Sequence, residues 1–311
     1  MPAFKDTYIP SSDGKSQIRV RICTPDGDVR GVVQIAHGIA EHVERYDDFM
    51  TFLASNGFAV AANDHLGHGK SVSDPTARGA FCEEDGWFKV VEDMASVHDL
   101  MVKEYPNVPY INFGHSMGSF LTRTYIIKYP QNYDLVILSG TGNQSSALIN
   151  AGHLIADLTV KTKGYYSDGT TLNNVAFGSY CKKIENPRTA YDWLSVNAEN
   201  VDRYIKDEMC GFVCAAGLYR DMMSGLKFIT KKSNLEKMDK TKPVYFMSGE
   251  DDPVGDYGKG VEKAYKNFCG VGCQDVTIRL YPNGRHEMLN EDNREQVYND
   301  ILTWIDSKLN K

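Results

Sequence analysis

With 311 residues, of which 42% are hydrophobic and 24% charged, the chain can bury a large core, and it shows no low-complexity tract or internal repeat. A net charge of −7, with no basic stripe interleaved with aromatics, argues against a nucleic-acid partner and against electrostatic recruitment to an anionic membrane. The opening Met1-Pro2-Ala3-Phe4 lacks the apolar core of a signal peptide and no run approaches a transmembrane length, so a cytoplasmic protein is the expectation. The seven cysteines form no C-x-x-C pair, so neither a zinc site nor a disulfide framework is expected. Cys269 and Cys273 could close a small loop if oxidised, but free thiols are favoured.

Tyr8 to Cys23 reads as two antiparallel strands around the turn Ser11-Ser12-Asp13-Gly14, the second with Ile18, Val20 and Ile22 on one face. Val32 to Ala36 is a buried strand ending at His37-Gly38. A helix over Tyr46 to Asn56 follows, with Phe49, Met50, Phe52 and Leu53 inward and Gly57 as its stop. The strand Phe58 to Ala62 runs into Asn63-Asp64-His65-Leu66-Gly67-His68-Gly69, where the histidines are expected to hold a turn. A helix over Trp87 to Glu104 shows apolar residues at helical spacing.

The chemistry concentrates in Tyr110-Ile111-Asn112-Phe113-Gly114-His115-Ser116-Met117-Gly118-Ser119. An apolar strand arrives at Gly114 and a helical pattern leaves from Met117 through Phe120, Leu121 and Tyr125. The G-x-S-x-G between them is a nucleophile elbow: a sharp strand-to-helix turn crowds positions −2 and +2, so glycine stands at both. The turn lifts the serine hydroxyl off the sheet, above the free N–H groups of a helix start.

Asp134 to Ser139 is a further buried strand, after which the alternation lapses from Asn143 to Lys240. That stretch carries helical patterns, including Leu148 to Leu158 and Phe212 to Leu226, and many aromatic and sulfur side chains. It reads as a mainly helical cap inserted at a strand's carboxyl end, dividing the chain into a core of 1–142 and 241–311 and a cap of 143–240. The alternative is that these helices extend the core. The sheet resumes at Val244 to Ser248, then come a helix near Gly258 to Phe268, a strand Val276 to Tyr281 and a closing helix near Glu295 to Leu309. Strands alternating with helices predict an α/β fold with a doubly wound, mostly parallel sheet whose functional loops share the carboxyl edge.

A serine hydroxyl needs an adjacent imidazole to take its proton. In folds with this elbow the acid and then the histidine follow the serine in the chain. Of eight histidines only His153 and His286 lie downstream. His153 precedes every strand-end acid and is expected to cap or pack, which leaves His286 as general base and then general acid. Asp251, Asp252 and Asp256 compete as its orienting acid; Asp252, three residues past Gly249 and stiffened by Pro253, is favoured. The Met117 N–H, after the nucleophile, and the Ile39 N–H, in the loop after the earlier strand, are the expected oxyanion donors. His37 is expected to brace that loop.

These residues resemble the α/β-hydrolase superfamily, and within it the monoacylglycerol lipase and lysophospholipase group of serine aminopeptidase-like (S33) hydrolases. The resemblance rests on His37-Gly38-Ile39-Ala40-Glu41-His42 with Arg45-Tyr46, on Asp64 through Ser71, and on Gly114 through Ser119. Gly249 through Val254 and His286 complete it. It runs nearly end to end and is weakest around Leu148 to Tyr180. The H-G-x-x-E-H-x-x-R-Y block is more specific than the elbow.

The resemblance implies a cofactor-free and metal-free Ser–His–Asp enzyme acting on carboxylic esters of lipid-like molecules. Its partner would be a small-molecule lipid-like ester, with transient membrane or micelle contact through the cap; oligomeric state leaves no signal. Glu41 and Arg45 match positions near the glycerol end of the substrate, or else form a buried ion pair anchoring the oxyanion loop. Some monoacylglycerol lipases carry a second histidine three residues after the catalytic one, and here that residue is Leu289, which weakens strict glycerol-ester specificity. A short-chain carboxylesterase or an S33-type peptidase is the alternative within the enzymes, and a non-enzymatic ligand-binding protein the alternative outside them. Epoxide hydrolases and haloalkane dehalogenases need an aspartate nucleophile, which Ser116 excludes.

Overall fold

The computed structural model describes residues 2–72 and 74–309. The amino-terminal hairpin joins β1 (Ala3–Pro10) to β2 (Gln17–Thr24), with Ile9 opposite Ile18. Asp13 closes the turn by accepting from the Lys15 and Ser16 N–H groups. Then follow β3 (Gly31–Ala36), α1 (Asp47–Ser55), β4 (Phe58–Asn63), α2 (Gly86–Glu104), β5 (Tyr110–His115), α3 (Met117–Lys128) and β6 (Leu135–Ser139).

Five helices separate β6 from the next strand: α4 (Ser146–Lys163), α5 (Thr170–Phe177), α6 (Ala198–Lys206), α7 (Ala216–Thr230) and α8 (Lys232–Leu235). The chain closes with β7 (Val244–Gly249), α9 (Lys259–Gly270), β8 (Val276–Tyr281) and α10 (Arg294–Leu309).

All eight strands form one sheet in the order β1-β2-β4-β3-β5-β6-β7-β8, with β2 antiparallel to β1 and to β4 and the remaining pairs parallel. The central strands are buried at every position, which explains their near-continuous apolar sequences. Alternation then sorts side chains between the two faces. Val32 packs with Val90, Met94 and Leu121 under α2 and α3, whereas Val33 and Ile35 pack with Phe49, Leu53 and Ile301 under α1 and α10. The parallel strands deliver His37-Gly38, Ser116, Asp252 and His286 to one edge of the sheet.

Three expectations shift. The first strand begins at Ala3 rather than near Tyr8. The helical pattern from Phe212 becomes helix only at Ala216, because the Ala215 N–H is drawn off to the Gly79 carbonyl and Ala215 bridges Asp168 as extended chain. Phe52 of α1 is only half-buried, against Tyr298. All seven cysteines, Cys269 and Cys273 among them, are free thiols.

Candidate active site

Ser116 stands between β5 and α3 with φ 54° and ψ −123°, a left-handed conformation that L-residues adopt only where the surroundings enforce it. Its N–H donates to the Ser139 carbonyl at 3.0 Å, and its carbonyl accepts from the Ser119 N–H at 2.8 Å. The two glycines are steric requirements. A Cβ on Gly118 would meet the Ala36 carbonyl, and one on Gly114 would meet Thr122 and the Gly118 carbonyl.

His286 follows β8 and is buried. Its Nδ1 lies 2.9 Å from Asp252 Oδ2. Asp252 is fully buried; its Oδ2 also accepts from Ser248 Oγ at 3.1 Å and its Oδ1 from the Val254 N–H at 2.8 Å. Asp251 and Asp256 are exposed, so of the three acids only Asp252 meets the imidazole. Burial alone would depress the His286 pKa. The charge and hydrogen bond of Asp252 outweigh it and hold the imidazole above its ordinary value, with Glu287 and Glu41 adding to the effect. The His115 ring lies 4.7 Å from that of His286. Burial, reinforced by the charge of His286, lowers His115 to about 4, so it is a neutral neighbour. Trp193 packs on His286 at 5.1 Å and stacks with Phe177.

Met117 opens α3, and Ile39 sits in the loop after β3. Among the described residues neither N–H is paired with a turn or loop carbonyl. The Ile39 loop is held from both sides. His37 Nδ1 lies 2.7 Å from the Gly38 carbonyl and its Nε2 accepts from the His65 N–H at 3.0 Å, which assigns the proton to Nδ1. Burial lowers its pKa, consistent with that neutral tautomer. Glu41 Oε1 accepts from the Gly38 N–H at 2.5 Å and from the Tyr46 hydroxyl at 2.8 Å.

Arg45 lies between two buried carboxylates. It donates to Glu41 Oε2 at 2.7 Å and, in a bidentate pair, to Glu287 at 2.6 and 2.7 Å. Burial would raise both carboxyls, but the guanidinium holds both below the ordinary glutamate value. Glu41 and Arg45 thus tie the loop after β3 to the residue after His286. His153, well away from this edge, bonds Ser224 Oγ at 3.1 Å.

Two cavities meet at Ser116. One, of about 820 Å³ including its open mouth, is lined by Gly38, Glu41, Trp193, Tyr204, His286 and Glu287, among others. The second, of about 1520 Å³ including its mouth, is largely apolar: Ile39, Met117, Phe120, Ile149, Leu172 and Met222 line it. Ser248, His115, Glu287 and Trp193 were not read from the sequence. Adjacency to His286 was the one signal for Glu287, and the variable position of the elbow the one for His115; Ser248 and Trp193 face the site from positions with no motif of their own.

The sheet order, the strained serine at a strand–helix turn and the His286–Asp252 pair on the same edge define an α/β hydrolase. Within that class the chain belongs to the family described as "Serine aminopeptidase, S33", whose model matches residues 27–293. Among curated relatives it is similar to a monoacylglycerol lipase of Mycolicibacterium smegmatis, at 29% identity over 95% of each chain. It is also similar to the monoglyceride lipase of Rattus norvegicus, at 26% identity over 97% of this chain and 90% of the relative. Among solved structures, a carboxyl esterase from Bacillus coagulans, in complex with glycerol, superposes with a TM-score of 0.92 at 30% identity over 99% of both chains.

Proposed function

We propose that Ser116, His286 and Asp252 form a catalytic triad that hydrolyses carboxylic esters of lipid-like substrates, of the monoacylglycerol or lysophospholipid type, through an acyl-enzyme. The chain is an ester hydrolase of the monoacylglycerol lipase group. The observation that carries the substrate reading is the position of Ser116, where a cavity of mixed lining, with Glu41 and Glu287 to receive an alcohol head group, meets a largely apolar one suited to an acyl chain.

Ser116 Oγ attacks the ester carbonyl while His286 Nε2 takes its proton. Asp252 holds the ring through Nδ1–H and stabilises the imidazolium that forms. The Ile39 and Met117 N–H groups receive the oxyanion, each worth about 3 kcal/mol at the transition state. The C–O bond to the alcohol breaks and His286 returns the proton to the departing oxygen. Water then attacks the acyl-enzyme, again deprotonated by His286, and Ser116 leaves with that proton. Glu41 and Arg45 serve as braces of the oxyanion loop, with any contact to substrate secondary.

Residues 143–240 act as a cap, and each acyl methylene buried beneath it contributes about 0.8 kcal/mol. Leu154 and Leu158 of α4 are exposed and lie outside the apolar cavity, which supports transient contact with a lipid surface. Amide cleavage is the weaker reading. A peptide amine would need a free carboxylate, and both glutamates lining the mixed cavity are bound to Arg45.

A panel of esters crossing acyl length with head group tests the proposal, with peptide anilides as the amide arm. Rates should rise with chain length beyond butyrate; a peak at acetate that vanishes by octanoate would remove the lipid assignment and leave the esterase. A fluorophosphonate probe should label wild type and not Ser116→Ala. An unlabelled wild type would remove the triad.

A further inference from the structure

Away from the reacting atoms, the oxyanion loop meets the connection between α6 and α7. A ring nitrogen of His42, a carboxylate oxygen of Asp207 and Sγ of Cys210 all lie within 4.8 Å of one another. We infer that these three side chains form a binding site for one borderline-soft divalent cation of the Zn²⁺ class, fastening the oxyanion loop to the α6–α7 connection.

The donor set is the first argument. Imidazole, carboxylate and thiolate are the ligands that zinc selects, and three of them leave a fourth tetrahedral position for water. Bonds of about 2.0–2.3 Å imply ligand separations of roughly 3.3–3.8 Å. His42 Nε2 and Asp207 Oδ2, at 2.8 Å, are already closer than that, and side-chain rotation of Asp207 and Cys210 can adjust the rest.

Charge is the second. The charged groups around the Cys210 thiol are Arg45, Glu41, Asp207 and Glu287, three carboxylates against one guanidinium, so the surroundings favour an added cation. Coordination forms the S–metal bond and breaks S–H, releasing one proton to solvent, while His42 binds as neutral imidazole.

The site would stiffen a wall of the mixed cavity. His42 lies three residues after Ile39, and Gly211, next to Cys210, lines that cavity and donates its N–H to the Ala40 carbonyl at 2.9 Å. Tyr204 donates to the same carbonyl at 3.1 Å. A cation would add a third, stronger tie between the same two segments.

The test is titration of chelator-stripped protein with Zn²⁺ by calorimetry, and with Co²⁺ by absorption. Expected are one equivalent bound, release of a proton, a rise in melting temperature of roughly 4 °C at a hundredfold excess over Kd, and a thiolate-to-cobalt charge-transfer band. Cys210→Ser should remove the band and weaken Zn²⁺ by at least about a hundredfold, and Asp207→Asn should weaken it less. Cys269→Ser, which changes an exposed thiol, should leave both readouts as in wild type. No binding, a Co²⁺ spectrum without the thiolate band, or Zn²⁺ affinity unchanged in Cys210→Ser would each overturn the site. The wild-type spectrum decides the matter even if a variant fails to fold.

Discussion

The carboxyl edge of the sheet and the helical segment that follows β6 use apolar and polar residues in opposite ways. Along the edge, apolar side chains are consumed by the core, and the polar ones that remain are buried and mutually bonded, as in Ser248–Asp252–His286 and Glu41–Arg45–Glu287. In α4 only Ile149 and Ala156 are buried, while Leu148 and Leu154 are each 59% exposed and Leu158 52%. A helix that simply extended a core would turn a polar face outward. The apolar content of α4 instead lines a cavity on one side and stays exposed on the other, as the proposed lipid contact requires. Rigidity thus belongs to the edge, and adaptable apolar surface to the segment above it.

The largest effect should come from the edge. Ser116→Ala is expected to lower kcat on a soluble ester by roughly a million-fold while leaving the melting curve in place, since only a hydroxyl is lost. Activity surviving at a thousandth of wild type in homogeneous protein would mean another nucleophile.

Asp252→Asn should cost about ten-thousandfold in kcat by presenting the wrong tautomer of His286. The same variant checks the pH dependence. Activity needs neutral His286, and Asp252 raises its pKa, so wild-type kcat/KM should fall as pH drops through a midpoint above 6.5, the ordinary value. In the residual activity of the asparagine variant that midpoint should move downward; a stationary one would detach Asp252 from the base.

Arg45→Met leaves two buried carboxylates facing each other, and a loss of about 3–5 kcal/mol is expected from urea unfolding. A loss under 1 kcal/mol would show that the brace is dispensable. At the far end of the scale, Leu154→Gln with Leu158→Gln should change stability by no more than about 0.5 kcal/mol. The pair should leave hydrolysis of a monomeric ester intact and slow that of an emulsified one several-fold. Equal slowing of both would erase the distinction between edge and segment.

Much of this edge was legible from residue spacing because it is local. The elbow is five residues long, Asp252 and its competitors lie within eight residues of Gly249, and each strand announces itself as a short apolar run. What escaped is what folding alone brings together. Glu287 reaches Arg45 across 242 positions, and Trp193 packs on the His286 ring from within the inserted segment. The start of α7 differs from the pattern for the same reason: Phe212 to Ala215 has helical spacing, but the distant Gly79 carbonyl takes the Ala215 N–H. Glu41 and Arg45 were recognisable as a pair, whereas the choice between substrate contact and brace depended on that distant partner.

The residues on either side of His286 carry one more consequence. Arg285 donates to the carbonyls of Asp192 and Ser195, the Glu287 N–H donates to the Leu194 carbonyl, and Glu291 accepts from Ser195 Oγ and from the Arg285 N–H. The 192–197 stretch, placed in the middle of the inserted segment by its sequence position, is therefore riveted to the loop that bears His286. It should show slow amide hydrogen exchange in step with β8, while α4 exchanges on its own faster clock. A substrate entering beneath the inserted segment would then meet a wall, carrying Trp193, that keeps its register with His286.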